Sequence, residues 1–279
     1  MCDMRLKRML ITVSVGTAAA VLMAASPAQA ATVTDLNSLI ESHSSTYVPL
    51  GFLPVHTLSI SAQESAAVPV GTPKVVTGTP YYLGCATLAN HTSITQTMKS
   101  NSFRRDYTNT VSTTVTTGVS TTNKVSGSFK LSEVTNIGIE QSVTISYQNA
   151  NTQTSAVRET HTAPSQTVTV PAGQTRYVVA SLTPTTYSGT LALNTSLSGP
   201  FVGVPRINPD LVHFLDLYNY FVTTTGKGAT LPTGFSLNSS TRTLDFKGTG
   251  TYTLVAGVNF TARVMEKLPS GMSPGSCVA

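Results

Sequence analysis

The sequence predicts an all-β protein with a minor helical part: a body of long antiparallel strands and β-sandwich that carries an amphipathic hairpin. Three observations lead there. Across 115–147, two runs alternate apolar and polar residues around a short polar break. On either side, 91–118 and 148–163 are rich in Ser, Thr and Asn, with sparse apolar residues such as Ile94, Phe103 and Tyr107. Threonine favours strands, so these tracts read as long extended arms carrying the hairpin. Further on, 166–182 and 243–264 both read as strand, turn, strand.

In chain order, Arg5, Lys7 and Arg8 precede an apolar stretch over 10–25, and Ala28-Gln29-Ala30 offers a small-x-small cleavage site. This is the pattern of a secretory signal peptide cut after Ala30. Loss of Asp3, Arg5, Lys7 and Arg8 with it lowers the formal charge from +5 to +3. That surplus does not indicate a nucleic-acid partner. Charged residues make up 10% of the chain, and no later stretch approaches the roughly 18 consecutive apolar residues of a membrane helix. A soluble exported product is expected. Cys2 leaves with the signal, so Cys85 and Cys277 remain as an even pair in an oxidising compartment. A disulfide between them is expected; a free or intermolecular thiol at Cys277 is the alternative.

Thr34 and Asp35 cap a short helix with Leu36, Leu39 and Ile40 at helical spacing. Over 47–82 the prolines at 49, 54, 69, 73 and 80 allow only short strands and turns, which reads as part of a compact head. Segments 166–170 and 174–182 pair as a hairpin through Pro171-Ala172-Gly173, and 190–196 continues the β pattern. Over 210–222, Leu211, Phe214, Leu215, Tyr218 and Val222 recur at helical intervals after Pro209. The domain expectation is a head from 31–91 and 199–235, a long-strand body from 92–198 and 236–267, and a tail over 268–279.

The hairpin carries the functional signal. Val115, Val119, Val125, Phe129 and Leu131 alternate with Thr116, Ser120, Thr122, Lys124, Ser126, Ser128 and Lys130. In the second run Ile137, Ile139, Val143, Ile145 and Tyr147 alternate with Gly138, Glu140, Ser142, Thr144 and Ser146, and Gln141 alone breaks the apolar series. Pairing Leu131 with Ile137 around a tip of Ser132, Glu133, Val134, Thr135 and Asn136 keeps every apolar residue on one face. A one-sided sheet in a sandwich shows the same alternation. Each run also has the roughly 9 to 11 residues of a bilayer-spanning strand, and the hydroxyl-rich polar face suits a water-filled barrel. The odd-numbered residues are then membrane-facing and the even-numbered ones lumen-facing.

The string Ala163-Pro164-Ser165-Gln166-Thr167-Val168-Thr169-Val170-Pro171-Ala172-Gly173, after an amphipathic hairpin and an Asn/Thr-rich strand, resembles the epsilon-toxin/mosquitocidal-toxin family of aerolysin-like pore formers. Val115-Thr116-Thr117-Gly118-Val119 looks like that family's entry to its inserting segment, and Ser146-Tyr147-Gln148-Asn149-Ala150-Asn151-Thr152 like its exit. Phe246-Lys247-Gly248-Thr249-Gly250-Thr251-Tyr252 resembles its late strand pair, so the likeness spans about 92–264. The resemblance implies an elongated aerolysin-like molecule whose head binds a receptor (glycan, lipid or protein) on a target-cell membrane. It also implies a homo-oligomeric ring whose hairpins form a shared barrel. Physics requires the sharing, because a lone hairpin leaves backbone edges that lipid does not tolerate. Several family members carry a long C-terminal propeptide removed on activation; here only 268–279 follows the last strand-like segment, and a cut near Arg263 or Lys267 would release it only if no Cys85–Cys277 bond held it.

Other functions find little support. His43, His56, His91, His161 and His213 lack metal-ligand spacing, the carboxylates are dispersed, and no nucleophile elbow or phosphate loop occurs. No enzyme activity, cofactor or metal is expected. Tyr81, Tyr82, Phe201, Phe214, Tyr218, Tyr220 and Phe221 lie outside the hairpin and serve either core packing or a glycan- or lipid-binding face. Of these, Tyr81, Tyr82, Phe214, Tyr218 and Tyr220 are the candidate receptor-binding aromatics. A non-lytic secreted adhesin or carbohydrate-binding protein on the same scaffold is the competing reading, and a secreted hydrolase the third.

Overall fold

The computed structural model describes residues 31–135, 140 and 142–278. The signal peptide and its Ala30 cleavage site, Asn136, Ile137 and Ile139 lie outside the described residues.

The first strand, β1 (Thr32–Asp35), hands its last residue to α1 (Leu36–Tyr47) as a cap. The Asp35 carboxylate accepts from the Ser38 amide at 2.8 Å, satisfying one of the helix's orphan donors. Leu36, Leu39 and Ile40 point inward. There follow β2 (His56–Thr57), β3 (Ser61–Thr77), β4 (Tyr81–Ala89), β5 (Gln96–Lys99), β6 (Phe103–Ser120), β7 (Ser126–Lys130), β8 (Ser142–Ser146), β9 (Gln153–Ala163) and β10 (Thr167–Val170). The second half holds β11 (Thr175–Ser198), β12 (Pro200–Gly203), β13 (His213–Asp216), α2 (Leu217–Gly226), β14 (Phe235–Asn238) and β15 (Thr243–Met265).

The spine is the antiparallel pair β11 and β15, paired from Tyr177 opposite Met265 to Leu197 opposite Leu244 with one register shift between Ser181 and Thr183. With 24 residues, β11 spans about 80 Å at the usual rise. β6 pairs with the outer edge of β15, and β3 and β4 follow one another along the outer edge of β11. β9 and β1 take the far edge of β6. At one end α1, α2 and the β13-β12-β2 sheet pack together around Tyr220, Phe221 and Phe201. At the other, β5 and β10 close a smaller core of Ala86, Leu88, Val168, Val170 and Val178.

Four local expectations change. The proline-rich segment forms a 17-residue strand, β3, because Pro69 and Pro73 sit on an edge strand whose free side needs no donor. β3 and β4 therefore belong to the long sheet by pairing, within the 31–91 segment expected to form the head. The turn at Pro171 forms, with Gln174 N–H donating to the Pro171 carbonyl at 3.2 Å, but its arms part: β10 pairs with β5 and β11 with β4. β15 runs unbroken through Gly248 and Gly250. A Cβ at these two positions would lie 2.2 Å from the Thr117 carbonyl oxygen and 2.9 Å from that of Thr114, so these glycines serve close strand approach rather than a turn. Finally, α2 starts at Leu217, where Asp216 accepts from the Asn219 amide at 3.0 Å, and buries Leu217, Tyr220, Phe221 and Thr224. The periodic Leu211, Phe214 and Val222 face solvent.

Cys85 and Cys277 are disulfide-bonded across 192 residues. The bond fixes the C-terminal tail beside β4, where Thr87 N–H donates to the Val278 carbonyl and Val278 N–H to the Cys85 carbonyl, both at 2.9 Å. A loop of this length restricts the unfolded chain strongly. The double variant C85S/C277S is therefore expected to lose about 2–5 kcal/mol of unfolding free energy in a urea titration, with the far-UV spectrum unchanged.

Candidate functional site

The hairpin lies as a second layer on the long sheet. β7 and β8 pair antiparallel from Ser126 opposite Ser146 to Lys130 opposite Ser142, which sets Phe129 against Val143 and Gly127 against Ile145. This register is four residues away from the pairing of Leu131 with Ile137, and the reason is the tip. Residues 131–133 form a 3-10 turn in which Leu131 and, just after it, Val134 dip into the core, and the Thr135 hydroxyl donates to the Leu131 carbonyl at 2.9 Å. The first run is also not one strand: β6 ends at Ser120, and 121–125 forms an elbow. Asn123 Nδ2 ties this elbow to the Ile60 carbonyl at 2.7 Å, and Gln148 Nε2 to the Thr121 carbonyl at 2.9 Å.

The shift is even, so the faces are kept. Val115, Val119, Val125, Phe129, Leu131, Val143, Ile145 and Tyr147 are all buried in the main core, against Ala67, Leu191, Leu193, Tyr252 and Leu254. Thr122, Lys124, Ser126, Ser128, Lys130, Glu140, Ser142 and Thr144 are exposed, and Thr116, Ser120 and Ser146 half-exposed. Lys130 Nζ approaches Glu140 at 4.0 Å, both largely in water, so this pair adds little stability.

Tyr147 anchors the layer. Its ring is fully buried, and its hydroxyl donates to the Ala66 carbonyl of β3 with the Asn194 carbonyl of β11 at 3.2 Å. Two glycines make the slot. A Cβ at Gly127 would sit 2.3 Å from the Tyr147 hydroxyl and 2.7 Å from the Ala66 backbone, and one at Gly118 would sit 2.2 Å from the Tyr147 carbonyl. Phe129 meets Tyr252 with ring centroids 5.8 Å apart. The anchoring roles of Gly118, Gly127 and Tyr147 were not evident from the sequence. The available signal was a glycine interrupting an alternating strand, which marks a close approach.

The arms that carry the hairpin are β6 and β9, paired without a shift from Phe103 opposite Ala163 to Thr113 opposite Gln153. Thr114 and Thr152 extend the pairing through their hydroxyls at 2.8 Å. The outward Asp106 is held below the usual carboxylate range, first by the Thr160 hydroxyl and then by Arg158. Inward, Asn109 Nδ2 donates to Glu159 at 2.9 Å, while its oxygen accepts from the Gly257 amide at 3.0 Å, stitching the arms to β15. Thirteen steps separate Thr113 from Ser126, but only seven separate Ser146 from Gln153. One side of the folded hairpin thus holds six more residues than the other.

The candidate aromatics do not form one cluster. Tyr81 and Tyr82 lie on β4, each 46% exposed, while Phe214, 75% exposed, and Tyr218 lie at the helical end, where Arg242 covers the Tyr218 ring at 5.3 Å. Tyr220 is not available to a receptor: it is buried, and its hydroxyl donates to the Ile40 carbonyl at 2.7 Å. Phe201 and Phe221 pack against it. His43 is a packing residue as well, edge-on to Phe221 at 5.2 Å and held less basic by burial.

The sequence profile of the Clostridium epsilon toxin ETX/Bacillus mosquitocidal toxin MTX2 family matches residues 34–278, nearly all of the described chain. The chain belongs to this family. Its structure is similar to the Mpp75Aa1.1 β-pore-forming protein from Brevibacillus laterosporus, with a TM-score of 0.60 and 22% identity over 84% of this chain and 90% of that one. It is also similar to a non-toxic crystal protein from Bacillus thuringiensis, with a TM-score of 0.64 and 18% identity over 85% and 99%. The binary complex of Cry23Aa1 and Cry37Aa1 gives 0.58 and 16% over 86% and 98%. No curated protein sequence matches. Family and fold together indicate a β-pore-forming toxin of the aerolysin-like, β-rich class.

One outcome tests the anchor of this family member's hairpin. Tyr147→Phe removes the hydroxyl from a buried site and leaves carbonyls without their donor, so the hairpin amides should lose about 1–3 kcal/mol of protection in hydrogen exchange.

Proposed function

We propose that the chain is a secreted toxin that binds a target-cell membrane, oligomerises into a ring and inserts a β-barrel built from one hairpin per subunit. The observation that carries this reading is one inward face running through four strands. Apart from the exposed Arg105 and Ser155, the odd-numbered residues of β6, β7, β8 and β9 are buried or half-buried, and the even-numbered side chains are exposed or half-exposed. A six-residue excess is even, so drawing the elbow and the 147–152 segment straight preserves that parity. The β6–β9 register then continues through Val115 opposite Asn151, Val125 opposite Gln141, Phe129 opposite Ile137 and Leu131 opposite Thr135.

Release is unfavourable in water. Val125, Phe129, Leu131, Val134, Val143, Ile145 and Tyr147 leave the core, and exposing them costs roughly 10–20 kcal/mol. Lipid returns the apolar term, and neighbouring hairpins pair the backbone edges, so the open hairpin is stable only in a closed ring on a membrane. The surface receptor is a glycan, lipid or protein met by exposed residues such as Phe214. A non-lytic adhesin or carbohydrate-binding protein is the second reading, favoured by the fold shared with a non-toxic crystal protein.

Dye release from lipid vesicles separates the two readings. Single cysteines at residues 128, 129, 143 and 144, labelled with an environment-sensitive fluorophore, read the faces. Labels at 129 and 143 should be quenched from within the lipid and those at 128 and 144 from water; no lipid quenching at any site rejects insertion. In the barrel Lys124 and Lys130 face the lumen against Glu140, which gives a mild anion preference. The variant K124E/K130E should reverse the preference in planar-bilayer reversal potentials, and an unchanged sign rejects the lumen assignment.

A further inference from the structure

The outer face of the β4–β11–β15 sheet carries a concave site of about 440 Å³, away from the hairpin along β11 and within the usual range of small-ligand sites. Two bulges meet there. Between the pairs Tyr82–Ser181 and Gly84–Ala180, β4 holds one extra residue, Leu83, whose carbonyl accepts from Arg105 Nε at 2.9 Å. Between the pairs Thr261–Ser181 and Val258–Thr183, β15 also holds one extra residue, and Asn259 adopts φ 54°, a left-handed conformation that non-glycine residues seldom take. Bulges on both neighbours of one strand bend the sheet and re-aim side chains.

The re-aimed groups have a shared chemistry. Tyr82, Ser181, Thr183, Asn259, Thr261 and Arg263 line the site, and the Ser181 and Thr261 hydroxyls lie 3.3 Å apart. Among the described residues Arg263 has no carboxylate within ion-pair distance, whereas the neighbouring Arg176 meets Glu266 at 3.0 Å. A flat aromatic face suits the C–H side of a pyranose, amide and hydroxyl groups suit its hydroxyls, and a free guanidinium suits a carboxylate through two parallel hydrogen bonds.

We propose that this site binds a terminal sugar bearing a carboxylate, with the ring on Tyr82 and the carboxylate on Arg263. The proposal names a chemistry for a surface partner but stands apart from hairpin insertion, and its test reads binding alone. Titration calorimetry of the whole chain would use 3′-sialyllactose, a glucuronic-acid-terminated disaccharide and neutral lactose. At least one acidic sugar should bind at one site, lactose at least tenfold more weakly, and Arg263→Gln and Tyr82→Ala should each weaken acidic-sugar binding at least tenfold. Vesicles of phosphatidylcholine with sialyl-lactosylceramide should capture the protein, and vesicles with phosphatidylserine should not. Absence of acidic-sugar binding, equal binding of lactose, indifference to either substitution, or equal capture by phosphatidylserine overturns the proposal. Should Tyr82→Ala unfold, Arg263→Gln, on an exposed side chain, decides alone.

Discussion

The apolar side of the 125–147 hairpin has to be kept from water, and most of the described architecture follows from that constraint. The sheet offers a floor of Ala67, Leu191, Leu193, Tyr252 and Leu254, and the hairpin covers it, so each layer completes the other's core. Neither surface is satisfied alone, and each layer shields the other from water. The long β11–β15 ladder supplies the rigidity this floor needs. Among the described residues the hairpin has five backbone pairs of its own, from Ser126 to Lys130, and packing on the floor adds to this ladder.

Specific anchoring adds to this general burial. Tyr147 reaches past its own layer to carbonyls on β3 and β11, and the space it occupies exists because Gly118 and Gly127 lack side chains. A polar contact at the bottom of an apolar layer fixes the hairpin in one position, since any sliding along the sheet leaves buried carbonyls without a donor. On the proposed reading, the same contact sets how much a membrane-bound assembly has to supply before the layer lifts.

The alternation of Val125, Phe129, Val143 and Ile145 was legible because a period of two survives whichever surface receives it. For the same reason it does not distinguish a protein floor from lipid. Register was not legible: nothing in Ser132-Glu133-Val134-Thr135 announces a 3-10 turn, and the pairing is set by Gly127 meeting Tyr147 and Ala66 from elsewhere in the chain. Pro69 and Pro73 hid β3, and Gly248 and Gly250 made β15 look interrupted, because local breakers read as turns unless their edge or their neighbour is known. α2 was displaced because Leu211 and Phe214 mimic a helical stripe, while the cap that starts the helix is Asp216. The Cys85–Cys277 pair was legible by count alone, and the paired bulges around Ser181 left no trace in composition.

The prolines of β3 protect an exposed margin of the sheet. An exposed 17-residue margin with Val68, Val70, Val75 and Val76 half out in solvent would ordinarily template the addition of a stray extended segment and seed aggregation. Pro69 and Pro73 delete amide donors along that margin, and register breaks at two places interrupt its regular spacing. The margin is therefore a poor nucleus for fibrils, although its valines lie open to water.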